Sequence, residues 1–260
     1  MRDAGVSESR RIGLLHEADV LDDPRSALIS VIVPTLNESA YIGRCLSSIE
    51  SQRGPQEIVV CDGGSTDETI DIAQCRARIV STSSGRAHQM NTGAHKAKGE
   101  VLVFLHADTA LPDGGLESIR EALKSPRVAG GCFRLCFDEE NVLLTFYSWG
   151  TSVIKWSRLV FGDRTIFVRR SVFEQVGGFP DQPLFEDMEF FRAVRKTGRV
   201  AYLSPGVVTS SRRFSQHGYF HQQLRNLGLW LLYLLGIPAG KLQRFYPKAN
   251  ALQTRKQTPT

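Results

Sequence analysis

Ile29-Ser-Val-Ile-Val-Pro-Thr-Leu-Asn-Glu38 passes from a β-branched run into a polar loop. The same change recurs in Glu57-Ile-Val-Val-Cys-Asp-Gly-Gly-Ser-Thr-Asp67 and in Val101-Leu-Val-Phe-Leu-His-Ala-Asp-Thr109. Continuous apolar runs predict strands covered on both faces, at Ile29–Val33, Glu57–Cys61 and Val101–Leu105. Between them, Ser39–Ser51 and Gly85 to about Lys98 carry apolar residues at helical spacing, with a short strand at Arg78–Ser81. Ser65 or Thr66 is expected to cap the helix after the second strand, with Asp67 and Glu68 in its first turn. Strand and helix in this rhythm predict an open α/β sheet, mostly parallel, with helices on both faces.

Past Leu111-Pro112 the pattern loosens into an α+β half. Helices are expected near Gly115–Lys124, about Asn141–Trp156 and Glu186–Thr197, strands at Ala129–Phe137 and Thr165–Val168, and a turn at Gly177-Gly178-Phe179-Pro180. The expected organisation is an N-terminal extension over residues 1–27, a body over 28–215 and a C-terminal helical region over 216–260. The body divides into halves at 28–112 and 113–215. A chain of 260 residues supports one large core.

Charge is distributed unevenly. The first 189 residues hold 20 Lys or Arg against 27 Asp or Glu, whereas the remaining 71 hold 12 against none. An acidic body with a basic C-terminal quarter predicts an anionic partner at that end. Nucleic acid is excluded as that partner because no nucleic-acid-binding motif accompanies the charge. Five cysteines without a Cys-x-x-Cys pair, and a polar N-terminus without an apolar core, predict reduced thiols and a cytoplasmic protein.

Open parallel sheets bind ligands beyond the carboxyl ends of their strands, so the chemistry is sought there. No Gly-x-Gly-x-x-Gly follows the first strand and no Gly-x-x-x-x-Gly-Lys-Ser/Thr is present, which removes dinucleotide oxidoreductases and P-loop NTPases. A sheet that binds nucleotide without either loop needs another way to neutralise phosphate, and a carboxylate-held metal ion supplies one. Asp108 and Asp62 both follow strands. Each has a second reading as a turn or cap residue, and His106 lies two residues before Asp108.

These motifs closely resemble the nucleotide-binding half of family 2 inverting glycosyltransferases. Ile166-Phe-Val-Arg-Arg170, Val176-Gly-Gly-Phe-Pro180 and Glu186-Asp-Met-Glu189 are similar to the family's acceptor-side motifs, so the resemblance spans about residues 29–215. Gly85-Arg-Ala-His-Gln-Met-Asn91 and Leu105-His-Ala-Asp108 resemble a bacterial subgroup. The resemblance implies a GT-A, Rossmann-like fold and a nucleotide-diphospho-sugar donor, commonly a uridine nucleotide. Its residue-by-residue implications put Pro34, Asn37 and Glu38 in the nucleotide pocket and Asp62 at the base. Asp108 matches the last Asp of the Asp-x-Asp metal motif, for one Mn²⁺ or Mg²⁺ ion, and His106 replaces the first. Asp187 of the Glu186-Asp187 pair matches the general base, although a helix-capping role competes.

Arg86, Arg212 and Arg213 are expected phosphate partners. Arg212-Arg213-Phe214 is loosely similar to the Gln-x-x-Arg-Trp motif of processive members but lacks its Gln and Trp at the motif positions, so one sugar per event is expected. Asp163 and Trp149 are candidates for the acceptor or sugar, with core packing as the other use of Trp149. His217 and His221, four apart, lack a nearby carboxylate and are expected to be structural or acceptor-loop residues rather than a metal pair. The competing functions are a sugar-nucleotide nucleotidyltransferase, which would want a glycine-rich basic loop after the first strand, and a nucleotide-sugar-binding protein without catalysis. The acceptor is open among a lipid, a carotenoid-like and a small polar molecule.

One segment raises a membrane question. Asn226–Gly240 is uncharged for 15 residues, rich in Leu, and flanked by Arg225, Lys241, Arg244 and Lys248. A span needs about 20 apolar residues. Residues 225–248 are instead expected to lie on the inner face of the cell membrane, or to pack on the body or on a homodimer partner.

Overall fold

The computed structural model describes residues 26–139, 164–212 and 219–245. One eight-stranded sheet organises them: β1 (Ile29–Thr35), β2 (Gln56–Asp62), β3 (Arg78–Ser81), β4 (Val101–Phe104), β5 (Thr109–Ala110), β6 (Val128–Phe137), β7 (Ile166–Arg169) and β8 (Arg199–Thr209), in the order β3-β2-β1-β4-β7-β6-β8-β5. The strands from β3 to β4 pair in parallel, and β7 joins antiparallel between β4 and β6. Helices α1 (Ser39–Glu50), α2 (Thr69–Ala73) and α3 (Arg86–Lys96) make the three crossovers of the parallel half. The predicted α/β sheet is therefore present, with a mixed second half.

All seven residues of β1 are buried, which is why its β-branched run is continuous. Ile29, Val31 and Val33 pack in one cluster with Ile42, Leu46 and Ile49 of α1, and Ile32 packs in the other with Ala87, Met90 and Ala94 of α3. This alternation is the strand's two-residue period. At about 1.5–3 kcal/mol for each fully buried aliphatic side chain, it fixes the register against a one-residue slip. Gly93 lets α3 lie close to the sheet, because a Cβ there would come within 2.5 Å of Cys61 Sγ and Ile32 Cγ2.

Several local expectations need correction. Pro34 lies inside β1, opposite Cys61 of β2, rather than ending it. The pairing with β4 stops at Ile32, so the missing N–H of Pro34 removes no bond on that side. Helix α2 begins at Thr69, and neither Ser65 nor Thr66 caps it. Asp67 Oδ1 accepts the Thr69 N–H at 3.0 Å instead. The sequence reading missed three elements, β5, β8 and α5 (Arg170–Val176). The apolar runs of β8 are interrupted by Pro205-Gly206, which hid it. Helix α4 (Gly115–Leu123) and α6 (Glu186–Thr197) follow expectation.

The C-terminal region forms α7 (Tyr219–Leu234) and α8 (Ala239–Leu242), then a short 3-10 turn, Gln243–Phe245. Among the described residues, no helix is long and apolar enough to cross a membrane. The expected helical run at 141–156, with Trp149, and also Asp163, Arg213, His217 and the side chain of His221, lie outside the described residues.

Candidate active site

The carboxyl ends of β1, β2 and β4 converge on one edge of the sheet, and their loops are braced against each other. Asn37 adopts a left-handed conformation (φ 56°), which Asn tolerates better than most residues. Its Oδ1 accepts the Thr66 N–H at 2.8 Å, and its own N–H donates to Ser65 Oγ at 2.9 Å. The Glu38 N–H donates to Thr69 Oγ1 at 2.8 Å. Asp62 accepts from the backbone of Gly64 and Ser65 at 3.0 Å each and from Ser65 Oγ at 2.5 Å. Both Asn37 and Asp62 thus shape the loops through local bonds, while Pro34 supplies backbone at the end of β1.

Two residues that the sequence reading assigned no role hold this edge in place. Gln89 of α3, 4% exposed, donates from Nε2 to the carbonyls of Thr35 at 2.7 Å and Cys61 at 2.8 Å, tying the helix to the ends of β1 and β2. Asn91 exchanges two hydrogen bonds with the backbone of Phe179, at 2.8 and 2.9 Å. Gly178 permits that contact: its φ is +75°, and a Cβ there would sit 2.6 Å from Asn91 Oδ1. Phe179 in turn stacks on Phe190 of α6 at 4.0 Å and meets Phe104 of β4 edge-on at 4.7 Å. The Gly-Gly-Phe-Pro turn thereby fixes α6 relative to the sheet. A polar Gln among inward-facing Met90, Gly93 and Ala94 was the available signal for Gln89.

Two charged groups occupy the edge. In the first, Arg86 Nε donates to Glu186 Oε1, and its Nη2 lies 3.4 Å from Asp187 Oδ2. Glu186 and Asp187 are 1% and 5% exposed in the first turn of α6, where the helix N-terminus stabilises negative charge. In the second, Arg212 Nη2 donates to Glu38 Oε1 at 2.6 Å and Asp108 Oδ2 at 3.2 Å, with its guanidinium 4.6 Å over the Tyr41 ring. Burial opposes the Arg212 charge, but the Glu38 hydrogen bond and the two carboxylates outweigh it and raise its pKa. Arg86 and Arg212, expected at phosphates, both meet carboxylates. His106 is half-buried, and its carbonyl lies 3.6 Å from Cys45 Sγ.

Asp108 is the residue expected to hold a metal ion. Its carboxylate already faces a cation, and no group of three or more His, Cys, Asp or Glu that could hold an ion exists among the described residues. The described residues therefore form no all-protein cage there. Asp108 fits a site of one carboxylate completed by phosphate oxygens and water, the usual way Mg²⁺ is held with nucleotides.

Residues 30–179 match the family model described as Glycosyl transferase family 2. The chain belongs to that family. The PGL/p-HBAD biosynthesis glycosyltransferase of Mycobacterium bovis is 35% identical over 170 residues, covering 58% of this chain and 63% of that protein. The O-antigen chain rhamnosyltransferase RfbN of Salmonella typhimurium is 27% identical over 219 residues, covering 75% and 69%. The chain thus spans less than two thirds of the mycobacterial relative. Among solved structures, S. aureus TarS 1–349 in complex with UDP-GlcNAc superposes with a TM-score of 0.57 at 21% identity, covering 70% of this chain and 58% of that one. Mannosyltransferase PcManGT from Pyrobaculum calidifontis, in complex with GDP-Man and Mn²⁺, gives 0.53 at 24% identity, covering 74% and 59%. Both likenesses show the GT-A fold that family 2 membership implies.

Proposed function

We propose that the protein transfers one glycosyl group per event, with inversion, from a nucleotide-diphospho-sugar, preferably a uridine nucleotide, to an acceptor hydroxyl. The observation that carries this reading is the pair of buried carboxylates, Glu186 and Asp187, held by Arg86 at the strand-end edge. Inversion requires a carboxylate facing the acceptor while the nucleotide leaves from the opposite side of the sugar. Asp187 takes the acceptor proton, the acceptor oxygen bonds to the anomeric carbon, and the bond from that carbon to the phosphate oxygen breaks, releasing nucleoside diphosphate. Glu186 holds Arg86, and Arg86 orients the Asp187 carboxylate.

Pro34, Asn37, Glu38 and Asp62 form the nucleotide side of the edge, with Asp62 toward the base and His106 toward the ribose or the ion. A divalent ion at Asp108 would neutralise charge on the departing diphosphate. Arg212 exchanges its carboxylate partners for phosphate when the donor arrives, with Arg213 beside it in sequence. Asp163 and Trp149 remain candidates for the sugar or acceptor. The relatives support the donor class: TarS was solved with UDP-GlcNAc and PcManGT with GDP-Man and Mn²⁺.

The test is a panel of nucleotide sugars incubated with the protein and Mn²⁺ or Mg²⁺, reading nucleoside diphosphate release. Release from one donor class, faster with metal, is expected. Pyrophosphate release from a nucleoside triphosphate and a sugar phosphate, with no nucleotide sugar consumed, would overturn the reading.

A further inference from the structure

The exposed large apolar side chains of the described structure gather in one place. Leu224, Leu227, Leu231, Leu232, Leu234 and Leu235, 38–80% exposed, are joined only by Phe245 at 68%. On α7, Leu224, Leu227, Leu231 and Leu234 recur at three- and four-residue spacing and so form a stripe, while Gln222 and Leu229 are buried on the other side. Single exposed leucines need no explanation, but a continuous stripe does.

The surroundings of the stripe select its partner. Lys241 and Arg244, both exposed, follow it, whereas Arg225 turns back to the buried Gln222, and no Asp or Glu follows Glu189 anywhere in the chain. A second copy would bring like charges together. An anionic bilayer surface instead meets both the apolar ridge and its basic border.

We propose that α7 and the turn after it form an interfacial anchor that seats the protein on an anionic membrane surface. The anchor is coupled directly to the candidate active site. Tyr233 stacks on Phe185 at 4.6 Å and donates to Glu189 Oε1 at 3.0 Å, and Phe185 immediately precedes Glu186-Asp187. The seated helix therefore sets how the acceptor side of the edge meets the membrane. Resting on the glycosyl-transfer reading, the acceptor is a hydroxyl carried by a membrane lipid.

Flotation with phosphatidylcholine vesicles, with and without phosphatidylglycerol, tests the anchor without using activity. The protein is expected to float with the anionic vesicles and not with the neutral ones, less so as salt rises. Removing Lys241 or Arg244 (K241Q, R244Q) weakens partitioning about fivefold for each charge. Leu227→Glu with Leu231→Glu abolishes it while the circular dichroism spectrum and melting temperature are unchanged. Failure to float, flotation insensitive to these changes, or a dimer that dissociates in the Leu double variant would overturn the anchor. Loss of donor turnover in the panel above with flotation intact would overturn the transfer reading and the lipid acceptor, and leave the anchor standing.

Discussion

Arg86 donates to Glu186 across 100 residues of chain, joining the first turn of α3 to the first turn of α6. The Glu186 side chain is 2% exposed and that of Arg86 is 32%. Removing one partner of a buried pair costs more than the pair contributes, because the other charge is stranded. Arg86→Ala is expected to destabilise the protein by roughly 2–4 kcal/mol, toward the lower end of buried-pair values since water can enter beside Arg86. Chemical denaturation measures it. Arg86→Lys should recover part of the stability but not the two-carboxylate geometry, because a single ammonium replaces a fork of donors.

Gln89 makes a sharper comparison. Gln89→Ala removes the donor to Thr35 and Cys61 and should cost about 1–3 kcal/mol. Gln89→Glu places a carboxylate against two carbonyl oxygens now bonded at 2.7 and 2.8 Å, so it should destabilise more than alanine despite its near-identical shape. Unfolding midpoints that rank the two variants in the opposite order would contradict the role given to Gln89.

The parallel half of the fold was legible because burial on both faces leaves an unbroken apolar signature, as in Ile29–Val33 and Val101–Phe104. Strand β8 was not, because Pro205-Gly206 divides its apolar residues and its partners β6 and β5 are supplied by tertiary pairing. The candidate site divides in the same way. Glu186-Asp187 and Asp108 stand out as carboxylates at element ends. The partners of Arg86 and Arg212 lie 100 to 174 residues away, so no local pattern could show that both guanidinium groups meet carboxylates. Asn37 was visible as a polar loop residue, but its use as a brace to Thr66 depends on where β2 ends.

Glu57 gives a pH dependence with a definite sign. Burial opposes its charge, but bonds from Ser30 Oγ and the backbone N–H groups of Lys98 and Gly99 outweigh it and hold its pKa below the ordinary carboxylate value. A depressed folded pKa contributes stability above the unfolded value, about 4.3, that is lost as pH falls through the folded value. Glu57→Gln should therefore cost about 1 kcal/mol at neutral pH, a modest figure because the group is partly exposed. The two proteins should converge in stability below that folded value. Denaturation curves across the acid range check this.

Thiol chemistry probes the sheet independently. None of the five cysteines is in a disulfide, Cys75 is exposed, and Cys45, Cys61 and Cys132 are buried. Burial pushes the Cys61 thiol up to about 12 and raises that of Cys45 further still, with the Asp108 charge adding to it. A thiol-reactive reagent should modify Cys75 first in the native protein and reach Cys45 and Cys61 only on unfolding. Peptide mass mapping after timed labelling reads the order.

The most direct measurement of the proposed chemistry is the transfer rate of Asp187→Asn under saturating donor, with nucleotide affinity followed by calorimetry. Asparagine keeps the size of the side chain but cannot take the acceptor proton. The rate should fall by about 10²–10⁴-fold while nucleotide affinity is retained. Transfer at the wild-type rate in Asp187→Asn would contradict the assignment of Asp187 as the base.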